Sequence, residues 1–351
     1  MQYDDTDMKR IMECVPNFSE GRDMKVIEAI AEAIREGGLC AQCENPGVKV
    51  LNIDPGEATN RTVITFVGEP EAVLEAAFQG VRKAGELIDM RLQHGTHPRS
   101  GATDVLPLIP ISGITLEECA DMARKLAERI YVELGIPCYC YESAAFKPDR
   151  RNLAVCRSGE YESLPEKIAD PDRRPDFGPD SYTEKVAFSG AVNVGARDFL
   201  IAVNFNLDTE SAAAAHEVAC DVREKGRSKK GSEAKPGTLK KCKAIGWYID
   251  EYGIAQVSMN ITDINVVPLH VAFCEVCRAA QARGLRVTGT EIIGLVPKRA
   301  LIQAGVYFHG KADLPESELI RIAIQTMGLD DLKPFDAREK VIEFRMEDQS
   351  E

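Results

Sequence analysis

One order of secondary-structure elements occurs twice along the chain, and it constrains the fold more than any single motif. In the first half, strand IMECVPN leads to the amphipathic helix DMKVIEAIAEAIREGG. The apolar runs VKVLNID and TVITFVG then flank the turn-rich PGEATNR, and helix EPEAVLEAAFQGVRKAGELID precedes strand DVLPLIPIS. Apolar residues recur at helical spacing in the helices and as short bounded runs in the strands. Ser19 reads as the N-cap of the first helix and paired glycines close it; Pro70 falls in the first turn of the second. IADPDRRPDFGPDS has the composition that separates packed units. Beyond it the order returns: strand DFLIAVNFN, helix TESAAAAHEVACDVREKG, strands KAIGWYI and AQVSMNI around DEYG, helix LHVAFCEVCRAAQARG and a strand near TGTEIIGLV. A helical tail follows Pro297 as far as about Gly328. Strand, helix, strand, strand, helix, strand is a βαββαβ unit, so the expectation is an α+β protein of two such units in tandem, each an antiparallel sheet with helices on one face.

Composition narrows the function classes. A formal charge of -13 over 351 residues argues against a nucleic-acid partner, because neutralising phosphates takes a basic surface. No run of eighteen apolar residues predicts a membrane span, and the acidic, polar start MQYDDTDMKR lacks the features of a secretory leader, which predicts an intracellular protein. The sequons at Asn17, Asn60 and Asn260 are then chance or capping positions. Eleven cysteines are expected to stay reduced in that setting. Cys40/Cys43 and Cys274/Cys277 have the two-residue gap of zinc sites, but the second pair lies in a helical pattern where both face a core, and the preferred reading is no metal. Against the overall charge, Arg223 to Lys243 holds nine Lys/Arg and only Glu224 and Glu233. That block is either a solvated loop or a trap for a small polyanion.

Chemistry concentrates in HGTHPRSGATD, residues 94–104, which holds two of the five histidines in a loop. Gly95 and Pro98 oppose a helix here, so His94 and His97 are poorly placed for an i, i+3 metal pair. A structural turn histidine and a general acid-base group stay open, the second because an imidazole titrates near neutral pH. An acid-base histidine needs an orienting carboxylate; Asp54, Glu57 and Asp104 end neighbouring elements, with Arg61 and Arg99 available for substrate carboxylates. No nucleotide signature accompanies them. Gly190 and Asn193-Val-Gly-Ala-Arg197 read as a glycine-bearing turn, a weak anion-loop signal.

ECVPNFSEGR (13–22), ATNRTVITFVG (58–68), LIDMR followed by HGTHPRSGATDV, RSGEYESLP (157–165), PDFGP (175–179), GARDFLIAVNFN (195–206) and LKKCKAIGWYIDE with AQVSMN (239–260) resemble the glutamate formimidoyltransferase family. The resemblance runs from residue 11 to about 346. It implies two ferredoxin-like subdomains, taken as residues 1–195 and 196–346, and is similar also to the first part of the formimidoyltransferase-cyclodeaminases, with no cyclodeaminase domain expected. The implied activity moves a formimino group between N-formimidoyl-L-glutamate and the co-substrate tetrahydrofolate, a step of histidine breakdown, in a cytoplasmic homodimer. The H-P-R histidine of that family matches His97 as the acid-base group, and His94 is left incidental. Asp54 is expected to orient or charge His97, and Arg61 and Arg99 to hold substrate carboxylates. The family's folate segment maps from Gly178, Pro179, Asp180 and Ser181 to Ser189 and Gly190, although YTEKVAFSG between them departs from its pattern. Lys240 and Lys241, in a block whose charge suits a polyglutamylated folate tail, complete the expected binding residues. The alternatives are an enzyme acting on 5-formyltetrahydrofolate at the same site and a folate-binding protein without turnover.

Overall fold

Asp23 starts the first helix. Its carboxylate accepts from the backbone N–H groups of Lys25 and Val26, satisfying donors that a helix start leaves free. Ser19, four residues earlier, does not cap; its hydroxyl donates to the Gly101 carbonyl at 2.7 Å and ties the chain to the histidine loop. The helix, α1 (Met24–Gly37), buries Ile27, Ile30, Ala31 and Ile34, one stripe at helical spacing. The computed structural model describes residues 10–39, 47–95, 97–227 and 235–347. Cys40, Cys43, Thr96 and the middle of the basic block, residues 228–234, lie outside them.

The chain divides into two units, Met1–Asp198 and Phe199–Glu351. In the first, β1 (Ile11–Cys14), β2 (Asn17–Phe18), α1, β3 (Val48–Gly56), β4 (Arg61–Gly68), α2 (Pro70–Leu87) and β5 (Thr103–Ser112) follow the expected order. β1 and β2 share one position between β4 and β5 and are interrupted at Val15-Pro16, where proline has no N–H to give the ladder. With β3 paired to β4, this part of the sheet is antiparallel and has the ferredoxin-like arrangement.

The sheet then goes further than the sequence pattern indicated. α3 (Leu116–Arg129) opens on a capping box between Thr115 and Glu118 and leads to β6 (Cys138–Glu142). Short helices α4 (Leu153–Cys156), α5 (Leu164–Ala169) and α6 (Glu184–Ser189) follow, and β7 (Val192–Ala196) enters between β5 and β6, parallel to both. The residues read as the turn Asn193–Arg197 are thus mostly a buried strand. At this end both faces are covered: Val105, Tyr139 and Tyr141 pack against Cys156, Leu164, Ile168 and Val186, opposite the main core under α1 to α3. IADPDRRPDFGPDS is no linker; Phe177 bridges Cys138 and packs on that main core.

The second unit comprises β8 (Ile201–Leu207), α7 (Ala212–Val222), β9 (Cys242–Ile249), β10 (Ile254–Ile261), α8 (Leu269–Gln281) and β11 (Val287–Ile293). Its four strands are antiparallel in the order β11-β8-β10-β9, again ferredoxin-like, over a core that includes Phe205, Val218, Val257 and Val276. The tail goes past Gly328: α9 (Lys298–His309) and α10 (Glu316–Met327), each ended by a left-handed glycine, Gly310 and Gly328, are followed by the short helices α11 (Ala337–Lys340) and α12 (Ile342–Glu347). Cys274 and Cys277 are half-buried on α8, not core residues.

Candidate acid-base site

Four sequence blocks of the first unit converge on one loop. Asn60, with φ of 47°, accepts the Gly21 N–H at 3.0 Å through Oδ1 and donates through Nδ2 to Gln93 Oε1 at 2.5 Å and to the His94 carbonyl at 3.1 Å. Gln93 in turn donates to Glu20 at 3.1 Å, and its carbonyl accepts from Arg99 Nε at 2.9 Å. On the other side the Ser189 carbonyl accepts the Ala102 N–H at 2.8 Å, and the Ser100 carbonyl accepts the Ala191 N–H at 3.0 Å. Gly190, at φ of 66°, sits in this clip; a Cβ there would come within 2.3 Å of the Ser100 carbonyl oxygen. The loop that carries the histidine is therefore fixed at both ends.

His97 is half-buried, and its Nδ1 lies 2.8 Å from the Pro98 carbonyl oxygen. A carbonyl only accepts, so Nδ1 carries the proton and Nε2 presents a lone pair. Burial pushes the imidazole down to about 3, with the Arg61 and Arg157 charges adding to it and the Pro98 contact and Asp104 opposing. The ring is neutral at physiological pH, the form a general base needs.

Beneath the loop lies Asp104, with no exposed surface. Arg61 donates to it from Nη1 at 2.5 Å, and Arg157 engages the same carboxylate through Nε at 3.3 Å and through Nη2. The Ser100 N–H adds a bond at 3.0 Å. Burial raises the Asp104 carboxyl, but the two guanidinium groups outweigh it and hold the acid below its usual range. Arg61 also donates to Asn17 at 2.9 Å and is pushed down to about 10, chiefly by its own burial.

The expected site residues divide by position. Arg61 and His97 come together, and Ser189 and Gly190 are clipped to the same loop. Asp104 is one carboxylate whose charge acts on His97; Asp54 is half-buried on β3, in register with Val63. Arg99 is spent on protein carboxylates, with Glu162 at 2.6 Å and Glu160 at 3.5 Å, and lies over the Tyr161 ring. The Ser189 hydroxyl donates into its own turn, to the Lys185 carbonyl at 3.0 Å. Gly178 and Pro179 are half-buried, Asp180 and Ser181 exposed, and Asp180 pairs with Arg174 at 3.3 Å. Beside α6 opens a cleft of about 500 Å³ whose walls include Arg82, Arg91, Lys185, Phe188 and Ser189. Lys240 and Lys241 belong to the second unit and are exposed at the start of β9. Among the described residues no three His, Cys, Asp or Glu side chains converge as metal ligands. Arg157 was missed by the sequence reading; its only signal was its place at the head of RSGEYESLP.

The chain is thus two tandem ferredoxin-like units, the first of which carries a neutral loop histidine over a buried Arg-Asp-Arg cluster. Residues 11–197 match the N-terminal subdomain of the formiminotransferase domain, and residues 202–347 match the formiminotransferase domain. The chain belongs to this family. It is 42% identical over 302 residues to the glutamate formimidoyltransferase of Streptococcus pyogenes serotype M1, covering 86% of this chain and 94% of that one. To the glutamate formimidoyltransferase of Thermoplasma acidophilum it is 40% identical, over 85% of this chain and 92% of the relative. The formimidoyltransferase-cyclodeaminase of Sus scrofa is 45% identical over 96% of this chain, which spans 60% of that protein's length.

Proposed function

We propose that the protein is a glutamate formimidoyltransferase that moves the formimino group between N-formimidoyl-L-glutamate and tetrahydrofolate, giving 5-formimidoyltetrahydrofolate and L-glutamate. The observation that carries the reading is the neutral His97 with Nδ1 held by Pro98 and Nε2 left as the acceptor. In the reaction, N5 of the folate adds to the amidine carbon and must lose a proton; the glutamate nitrogen must gain one before its bond to that carbon breaks. Nε2 of His97 takes the first proton and returns it to the departing nitrogen, so one group serves both halves. A positioned acid-base group of this kind supplies roughly 10²- to 10⁴-fold, and the rest comes from holding two substrates in register.

Around this centre we assign Asp54 to charging or orienting the imidazole and Arg61 to a substrate carboxylate. Arg99, bound to Glu160 and Glu162, has the role of holding the loop. The folate lies along Gly178 to Gly190. The protein works as a cytoplasmic homodimer, without a metal. The test is an assay of purified protein with tetrahydrofolate and either N-formimidoyl-L-glutamate or, separately, 5-formyltetrahydrofolate alone. Turnover of the first and not the second supports the reading. The reverse would replace it with formyl-folate chemistry, and folate binding with neither turnover would leave a binding protein.

A further inference from the structure

Two guanidinium groups share one buried carboxylate beside His97, so within this three-residue cluster the positive charges outnumber the negative by one. Arg61 is 8% exposed and Asp104 0%, so the excess is poorly screened by water. The donors are not used up either. Arg61 commits Nε to Asn17 and Nη1 to Asp104 and the Pro98 carbonyl, and Arg157 commits Nε and Nη2 to Asp104. Both hydrogens on Arg61 Nη2 and both on Arg157 Nη1 stand outside those bonds.

A second, independent feature points the same way. Ser100 Oγ, Thr103 Oγ1 and Asn193 Oδ1 are buried polar atoms with no hydrogen-bond partner among the described residues. Two of these residues bond to Asp104 through another atom, the Ser100 N–H to its carboxylate at 3.0 Å and Asn193 Nδ2 to its backbone carbonyl at 2.8 Å, and Thr103 adjoins it in the chain. Buried polar groups are rarely left unpaired, and unpaired ones on residues bonded to a charged cluster suit a place that receives a polar ligand.

We propose that Arg157 is a substrate-recognising residue that, paired with Arg61 on the shared counter-ion Asp104, binds the α-carboxylate of the N-formimidoyl amino acid. The inference rests on the transferase reading above. The α-carboxylate is singled out by bonding: it is attached to the same carbon as the nitrogen that His97 must protonate, whereas the γ-carboxylate lies farther along the side chain. A planar fork on each arginine suits a carboxylate better than a point charge does. Burial is the main cause that depresses His97, and an anion bound there offsets the arginine charges that add to it, so the correct donor raises the basicity of the group that acts on it.

The test compares three donors, N-formimidoyl-L-glutamate, its α-carboxamide and its γ-carboxamide, on the unmodified protein, Arg157→Gln and Arg157→Lys. A site built for a charged group rejects a neutral isostere strongly. The unmodified protein is expected to lose about 100-fold in kcat/KM on the α-carboxamide and under about 10-fold on the γ-carboxamide. Arg157→Gln is expected to lose about 100-fold on the parent donor, to stop distinguishing α-carboxylate from α-carboxamide, and to leave the KM for tetrahydrofolate within about threefold. If Arg157→Gln does not fold, Arg157→Lys, which keeps a charge opposite Asp104, carries the test: its α-carboxylate preference is expected to fall at least about tenfold. A variant that folds and keeps the full preference overturns the proposal while the transferase reading stands. No turnover of any donor by the unmodified protein brings down that reading, and this inference with it.

Discussion

His97 and Asp104 are neighbours with opposite electrostatic fates. Burial and two arginines drive the imidazole to the neutral state, while the same arginines keep Asp104 charged against its own burial. Breaking a buried ion pair by removing one partner typically costs about 3–5 kcal/mol, so Asp104→Asn is expected to lower stability by that order, measured by urea unfolding. Asp54→Asn is expected to act on rate and pH profile. An unchanged rate and profile would remove Asp54 from the mechanism. For His97 itself the sign follows from its lowered affinity for protons: the folded state binds the proton less well than the unfolded chain does. Its contribution is therefore full above the unfolded value and is lost as pH falls toward about 3. Imidazole nitrogen shifts followed by NMR are expected to show a neutral, Nδ1-protonated ring at pH 6; a ring half-protonated near pH 6.5 would contradict the lowering by burial. At this scale the sequence showed His97 and Arg61 but not Arg157. A histidine followed by proline in a glycine-bearing loop is a local signal, whereas Arg157 reaches Asp104 across 53 residues of chain with no periodicity to link them.

The elements that hold the site explain which parts of the fold were readable. α1, α2 and the β3-β4 hairpin declare themselves by apolar spacing and turn residues, and they lie where the pattern puts them. β6 and β7 do not: each has five residues, and in β7 Asn193 and Gly195 imitate a turn because that strand is buried by neighbours on both sides, which no local preference encodes. Ser19 misled for a related reason, since SEGRD offers two capping side chains and only packing chooses between them. The clip at Gly190 yields a sharp prediction. Gly190→Ala adds a side chain where both the positive φ and the Ser100 carbonyl oppose it, and is expected to cost about 1–3 kcal/mol and to reduce turnover with it. An alanine variant of unchanged stability and activity would show that the clip does not hold the loop. Lys167 gives a second one. It is 3% exposed, donates to the Cys156 carbonyl at 2.7 Å, and is pushed down to about 8 by burial. The unfolded chain holds this proton to higher pH than the folded protein, so the lysine's contribution to stability rises as pH goes from about 8 to 10. Lys167→Met is expected to flatten that part of the stability curve measured against pH.

Across the whole chain, duplication in the sequence became duplication in the architecture: each unit carries a βαββαβ core closed by its own apolar cluster. The first unit adds the β6 and β7 extension with its second apolar cluster, and every residue of the His97 centre lies in that unit. A fragment of residues 199–351 therefore has what it needs to fold cooperatively, and a sigmoidal urea transition from it is expected; a fragment that stays unfolded would show that its core depends on the rest of the chain. The acidic balance of -13 and the family match leave the chemistry of a small anionic donor and a folate as the reading to be tested.

The most direct test compares the unmodified protein with His97→Ala, both at saturating N-formimidoyl-L-glutamate and tetrahydrofolate, following 5-formimidoyltetrahydrofolate through its acid conversion to the methenyl form. Substitution of a half-buried loop residue is expected to leave unfolding within about 1 kcal/mol. The account predicts product from the unmodified protein and a fall of about 10²- to 10⁴-fold in kcat for the variant. A well-folded His97→Ala protein that retains kcat within a few-fold would contradict the assignment of this imidazole as the proton carrier.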